Sequence, residues 1–383
     1  MTKDLASETA RYRSWVEVSR QRIAANFKAV RDLCGPQVEV MPVVKADAYR
    51  NGAAEVSKVL EEAGAKWLAV SNAEEGIALR DAGIQARILV MADFSAPWRE
   101  DMLRKGLTPV LNSRGEIEDL ARLASSLGGV CGYHLKIDSG MGRLGTRANA
   151  AQIAEAVLAT QNGAKLEGLM THFASSANYS VTQTDEQVAT FVELRDALAS
   201  AGVRAEYSHL SSTIPIAYGR RAAWGNLVRP GQAIYGYVSP SRGNAPGAEL
   251  FVKPALTWKA RVLLVKDVPE GAQIGYGAMF RAPKPMRIAI VGAGYADGFP
   301  HRLSGKGKVI FDGKLLTVLG AVSMDVTTID ATPCPRMRAG DAVTLLGREG
   351  DVSMDAQEIA KLAGTISYSV LCGISARVKR VYV

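Results

Sequence analysis

The sequence predicts an α/β chain: a (β/α)8 TIM barrel followed by a mostly β C-terminal domain. Three observations carry this. Short apolar runs recur eight times, most of them separated by amphipathic helical patterns. Glycines fall where those helices should stop. After Tyr237 the strand–helix alternation gives way to β-rich runs.

The candidate barrel strands are 38–44, 67–70, 87–91, 107–111, 131–137, 166–171, 205–210 and 226–235. Ile23, Phe27, Val30 and Leu33 form a helical stripe before the first strand, and Val56, Val59, Leu60 and Ala63 form one after it. Ile77, Leu79 and Ala82, then Ile153, Val157 and Leu158, continue the cycle. Gly35, Gly64, Gly83, Gly106, Gly128, Gly163 and Gly202 read as helix stops. A doubly wound open sheet is the competing fold, but the first strand is not followed by Gly-x-Gly-x-x-Gly. Ser239–Gly247 has linker composition. Beyond it, strands are expected at 255–265, 286–291, 308–311, 315–319 and 342–346, with a hairpin turn at Asp312-Gly313 and one helix over 354–363. The domains are therefore drawn at 1–240 and 241–383, and the opening strand Trp15–Val18 is expected to pair with the second.

The 383 residues allow two domains with substantial cores. No stretch approaches the roughly 18 apolar residues of a membrane span, and the polar start to Arg13 has no secretory apolar core, so a cytoplasmic protein is expected. Cys34, Cys131, Cys334 and Cys372 have no metal spacing and read as free thiols. The net charge of +8 is scattered, without a basic run interleaved with aromatics, so no nucleic-acid partner is expected.

A barrel places chemistry at the C-terminal ends of its strands. Lys45, Ser71, Lys136 with Asp138, His172, His209 and Arg229 occupy those positions. Lys45 ends the apolar run Val38–Val44 and is followed by the tight turn Ala46-Asp47-Ala48-Tyr49. Desolvation lowers an amine's pKa, which suits a lysine to Schiff-base or proton-transfer chemistry. Gly140–Gly145 presents Arg143, a side chain suited to bidentate carboxylate binding. Arg229-Pro230-Gly231 closes the eighth strand where barrels often bind phosphate, and Thr213 follows the seventh. The second domain offers Gly275-Tyr276-Gly277, Gly294–Gly298 and Ser323-Met324-Asp325.

Read in order, these pieces resemble the alanine racemases. The matching segments are 43–49, Lys136–Gly145, Thr171–Ala174, 229–231, 275–277, 294–298 and 323–325, spread from Trp15 to Tyr382. The resemblance implies pyridoxal 5'-phosphate as cofactor and a homodimer with shared active sites interconverting L- and D-alanine, supplying or consuming D-alanine for peptidoglycan. It implies that Lys45 carries the cofactor as a Schiff base and is the base on the D side. Tyr276, from the partner subunit, is the base on the L side. Arg229 would face the pyridine nitrogen, with His172 paired to Tyr276 or Arg229. Arg143 would bind the substrate carboxylate, oriented by Lys136, a carbamylated lysine in some relatives. Tyr49, Thr213, Gly231 and Tyr368 would hold the phosphate, with Met324 and Tyr295 coming from the partner. No metal is implied.

Departures from the family pattern are Arg50-Asn51-Gly52 for Gly-His-Gly, Ser212-Thr213 for Asn-Ser, Ala321 for an arginine, Ala177 for an aspartate and His301 for an arginine. The catalytic set survives them. Alternative readings are a broader-specificity amino-acid racemase and a non-catalytic pyridoxal-phosphate-binding protein. A barrel-type decarboxylase would carry a longer glycine-rich phosphate loop and a cysteine-bearing partner loop, and neither occurs.

Overall fold

The computed structural model describes residues 5–383 and resolves them into two compact units. One takes the chain up to Gln21, Tyr49–Gly52 and Pro254–Val383; the other takes Arg22–Ala48 and Ala53–Lys253. Strand β1 (Ser14–Val18) belongs to the first of these.

The second unit is the predicted barrel. Strands β3 (Trp67–Val70), β4 (Arg87–Val90), β5 (Thr108–Leu111), β6 (Cys131–Lys136), β7 (Ala164–Met170) and β8 (Tyr207–His209) form a six-stranded parallel sheet in chain order. β2 (Glu39–Val40) pairs in parallel with β9 (Leu227–Val228). A parallel bridge from Val43 to Ala69 joins the β2 segment to β3, and Asn226 N–H donates to Ser208 O at 3.1 Å beside β8. The eight strands thus close into a ring. Two of them are buried without alternation, as parallel barrel strands covered by helices can be: Trp67–Val70 and Thr108–Leu111 are buried throughout. Helices Arg20–Cys34, Ala53–Glu62, Ala73–Asp81, Arg114–Ser126, Ala150–Ala159 and Gln183–Ser200 intervene, the first burying Ile23, Phe27 and Val30 as their spacing predicts.

Three local features differ from expectation. The eighth strand was expected over 226–235, but pairing stops at Val228 and Gln232–Tyr235 forms a 3-10 turn. Pro230 O still accepts from Val43 N–H at 2.9 Å, but Pro230 has no N–H of its own to give the ladder. Six of the seven helix-stop glycines have positive φ, but Gly163 does not. A Cβ on Gly163 would fall 2.2 Å from Ala121 O, so this glycine answers to close packing rather than to a left-handed cap. The turn after Lys45 is a left-handed helical turn: Ala46, Asp47, Ala48, Tyr49 and Arg50 all have φ between 53° and 64°. Each such L-residue costs about 1–2 kcal/mol. Hydrogen bonds offset this: Ala46 N–H donates to Glu75 Oε1 at 2.6 Å, Ala53 N–H to Asp47 Oδ1 at 2.8 Å, and Arg50 Nε to Cys372 O at 3.3 Å.

In the first unit, β10 (Leu256–Val268) is the central strand. The remaining strands are β11 (Gln273–Ile274), β12 (Phe280–Arg281), β13 (Met286–Val291), β14 (Lys308–Phe311), β15 (Lys314–Thr317), β16 (Thr327–Asp330), β17 (Ala342–Glu349), β18 (Val352–Met354) and β19 (Lys379–Tyr382). β10 pairs antiparallel with β1, β13 and β17, and β19 adds in parallel to the other edge of β1. The opening strand therefore does pair with this sheet. Asp312 and Gly313, both at positive φ, make the two-residue β14–β15 hairpin that their sequence predicts. Helix Ala356–Ala363 is closed by a capping box between Asp355 and Glu358. Ile274, Ala282, Met286, Ile288 and Leu319 form a compact apolar cluster. None of the four cysteines forms a disulfide.

Candidate active site

In the barrel unit the C-terminal strand ends gather the predicted polar groups. Arg229, 2% exposed, follows β9 and is held by four short bonds. Its Nη1 donates to His209 O at 2.7 Å and to His209 Nδ1 at 2.8 Å. Its Nη2 donates to Thr171 O at 2.7 Å and to Leu210 O at 3.0 Å. Burial pushes its pKa down to about 9, which leaves it charged at neutral pH. Its imidazole hydrogen-bond partner is thus His209; His172, expected to pair with Tyr276 or Arg229, feels the charge of Arg229. β8 supplies His209 directly at its last residue, whereas His172 lies two residues past β7.

Lys136 ends β6 and is buried. Desolvation, then the charges of Arg143 and Arg229, bring its amine to about 8. Burial, Arg229, Arg143, Lys136 and Lys45 likewise hold the His172 imidazole down to about 3, so it is neutral at physiological pH. Asp138 organises the loop that carries Arg143. Its Oδ1 accepts from Gly142 N–H at 2.9 Å and Gly140 N–H at 3.2 Å, and its Oδ2 from Arg147 Nε at 2.8 Å. Burial opposes ionisation of this carboxyl, but those donors outweigh it and keep its pKa below the ordinary value. The loop closes through Thr146 N–H to Lys136 O at 2.9 Å and Asp138 N–H to Thr146 O at 3.0 Å, leaving Arg143 exposed at its tip.

Thr213 is buried just past β8, and its Oγ1 accepts from Gly231 N–H and Ala233 N–H, both at 3.2 Å. With its oxygen so engaged, the Thr213 hydroxyl is left to donate, and a donor beside backbone amides at a barrel strand end suits a phosphate. Lys45 leaves the barrel at the start of the left-handed turn, tied to the helix Ala73–Asp81 by the Ala46–Glu75 bond.

The other unit carries the remaining predicted residues. The rings of Tyr49 and Tyr368 stand 5.9 Å apart, and burial pushes the pKa of each phenol up. Tyr276 is 77% exposed on a turn with Gly275, Gly277 and Ala278 at positive φ. Tyr295 and Met324 are exposed on two loops that clasp each other: Tyr295 N–H donates to Ser323 O and Ala296 N–H to Met324 O, both at 3.0 Å. A Cβ on Gly294 would lie 2.3 Å from Ser323 O, so that approach needs glycine. Arg377 locks the clasp, with Nε 2.7 Å from Asp297 Oδ1 and Nη2 2.6 Å from Asp325 Oδ1, and Arg13 adds a 3.4 Å contact to Asp297. Both aspartates stood in the quoted motifs; their arginine partners carry no local signal and went unread. His134 was also missed. The period-2 alternation of β6 places it on the same face as Lys136, a signal that was available.

Comparison with known proteins agrees across nearly the whole chain. Residues 18–240 match the alanine racemase N-terminal domain model, and residues 255–382 match the alanine racemase C-terminal domain model. The alanine racemase of Carboxydothermus hydrogenoformans is 39% identical over 96% of this chain and 99% of its own. The crystal structure of alanine racemase from Streptomyces coelicolor superposes with a TM-score of 0.91 at 31% identity, covering 98% of this chain and 99% of that one. That of Bartonella henselae, which has covalently bound pyridoxal phosphate, superposes at 0.85 with 26% identity, over 97% and 100%.

Proposed function

Because this chain belongs to the alanine racemase family, we propose that it interconverts L- and D-alanine with pyridoxal 5'-phosphate as cofactor. The observation that carries the reading is the barrel-end constellation: a lysine at a strand end, a buried guanidinium held by four bonds, and a hydroxyl–amide cradle. These groups fit the cofactor. Lys45 would bind it covalently, Thr213 and Gly231 would hold its phosphate with Tyr49 and Tyr368, and Arg229 would face its pyridine nitrogen. When bound, the cofactor acidifies the Cα–H of the amino acid attached to it.

The protein supplies what remains. Arg143 binds the substrate carboxylate, and Lys136 orients Arg143. An amine with a pKa of about 8 is partly neutral at physiological pH and so able to take up carbon dioxide; a carbamate there would place negative charge beside the two arginines. Arg229 donates and does not readily surrender a proton, so it would hold the ring nitrogen without protonating it, which would favour proton return over side reactions. Lys45 holds or releases the proton on the D face, and Tyr276 does so on the L face. Two bases on opposite faces are what inversion at Cα requires. A free phenol titrates near 10, so a tyrosine in this role needs positive charge beside it; of the two candidates, Arg229 and His172, the neutral His172 leaves Arg229.

The exposure of Tyr276, Tyr295 and Met324 supports a homodimer in which these residues complete the partner's site. Among the described residues no helix is long and apolar enough to cross a membrane, and we place the dimer in the cytoplasm, where it supplies or consumes D-alanine for peptidoglycan. The test is incubation with L-alanine in deuterated water while chirality and Cα exchange are followed. D-alanine carrying deuterium at Cα is expected. Persistent L-alanine without exchange would sink the proposal.

A further inference from the structure

His134 is completely buried on β6, two residues before Lys136, and nothing described so far uses it. Its Nδ1 lies 2.7 Å from His209 Nε2, and the two rings meet edge to face at 4.8 Å. β7 makes room for it: a Cβ on Gly168 would fall 2.5 Å from His134 Nδ1. The far nitrogen, Nε2, is buried without a hydrogen-bond partner, and the ring packs against Trp67 and Tyr207.

The direction of this chain follows from donor chemistry. A guanidinium only donates, so His209 Nδ1 must accept from Arg229. A neutral imidazole then carries its proton on Nε2, which makes His209 the donor to His134 Nδ1. His134 in turn carries its proton on Nε2, the atom left facing the aromatic packing. The reverse direction would require His209 to accept at both nitrogens, an imidazolate. A cationic form at either ring would put a second buried charge beside Arg229. Burial, with Arg87 and Arg229, holds the His134 pKa down to about 3, and burial, Arg229 and His134 hold that of His209 well below its ordinary value.

We propose that His134 is a positioning residue for Arg229: it accepts the Nε2 proton of His209, fixes that ring's tautomer and rotation, and so steadies the guanidinium. That this guanidinium faces the cofactor ring rests on the proposed function; the one-way chain Arg229 to His209 to His134 does not. Without the acceptor, the buried His209 N–H is orphaned, a change worth about tenfold in an equilibrium constant.

The test is nitrogen-edited NMR of the purified full-length holoprotein with labelled histidine rings, with signals assigned by replacing His172 and His301 in turn. Cofactor dissociation is measured alongside. In the wild type, His209 and His134 should both be Nε2–H tautomers and should not titrate between pH about 5 and 8. His134→Leu should shift the His209 signals and loosen the cofactor about tenfold. His134→Asn, whose Oδ1 takes the place of Nδ1, should restore both. An Nδ1–H or cationic His134 in the wild type, or an unchanged His209 in His134→Leu, would overturn the inference. If His134→Leu does not fold, the wild-type tautomers and the His134→Asn spectrum decide: a His209 pattern lost in the asparagine variant counts against it. The tautomers are read whatever the chain binds, so failure of the cofactor assignment would show separately.

Discussion

Replacing Ala46 by glycine should leave stability unchanged or raise it, against the usual cost of glycine in a helix. Ala46 is exposed and sits at φ 53°, first in a run of five non-glycine residues at positive φ. Removing its Cβ recovers the left-handed penalty of about 1–2 kcal/mol. The added freedom of glycine in the unfolded chain takes back about 0.5–1 kcal/mol. The net change runs from about zero to about 1.5 kcal/mol of stabilisation. The bond from Ala46 N–H to Glu75 uses only backbone at residue 46 and survives. Ala78, exposed within the right-handed helix Ala73–Asp81, is the control, and Ala78→Gly should cost about 1 kcal/mol. Urea unfolding of the two holoprotein variants beside the wild type reads the difference directly. If Ala46→Gly proves as costly as Ala78→Gly, the turn after Lys45 is not strained as described.

Mixing Lys45→Ala with Tyr276→Phe protein should restore part of the activity each lacks, because one site of a mixed dimer regains both residues; no rescue after demonstrated subunit exchange would rule out shared sites. Lys136 should contribute stability that rises with pH. Its folded pKa of about 8 lies below the unfolded value, so between about 8 and about 10.5 the unfolded chain holds the extra proton. Lys136→Met should lose that slope when unfolding midpoints at pH about 7.5 and about 10 are compared, and a slope of opposite sign in the wild type would contradict the burial argument.

The barrel was legible because its strands are short, apolar and evenly spaced, so 67–70 and 131–137 map almost residue for residue onto β3 and β6. The Asp312-Gly313 hairpin was legible because its turn demands positive φ at both positions. The left-handed turn at 46–50 was not, since alanine and tyrosine carry no intrinsic preference for it and bonds to distant residues such as Glu75 and Cys372 hold it. Strands β16 and β19, four paired residues each, went unread; β19 exists through its register with β1. The candidate site was legible as residues and motifs. The hydrogen bond between His209 and Arg229 was not, because it depends on where β8 ends relative to β9.

The central claim is that two bases serve opposite faces of Cα. The measurement closest to it is the early-time exchange of the Cα proton with solvent, taken separately from L- and from D-alanine, in wild type and in Tyr276→Phe. Overall racemisation must fall equally in both directions, because the equilibrium constant is one, so only the separate exchange rates discriminate. Loss of the phenol should slow exchange from L-alanine by about 10²–10⁴, the range for one acid–base residue, with far less effect on exchange from D-alanine. Equal losses from both enantiomers would contradict face-specific roles and point instead to a single mobile base.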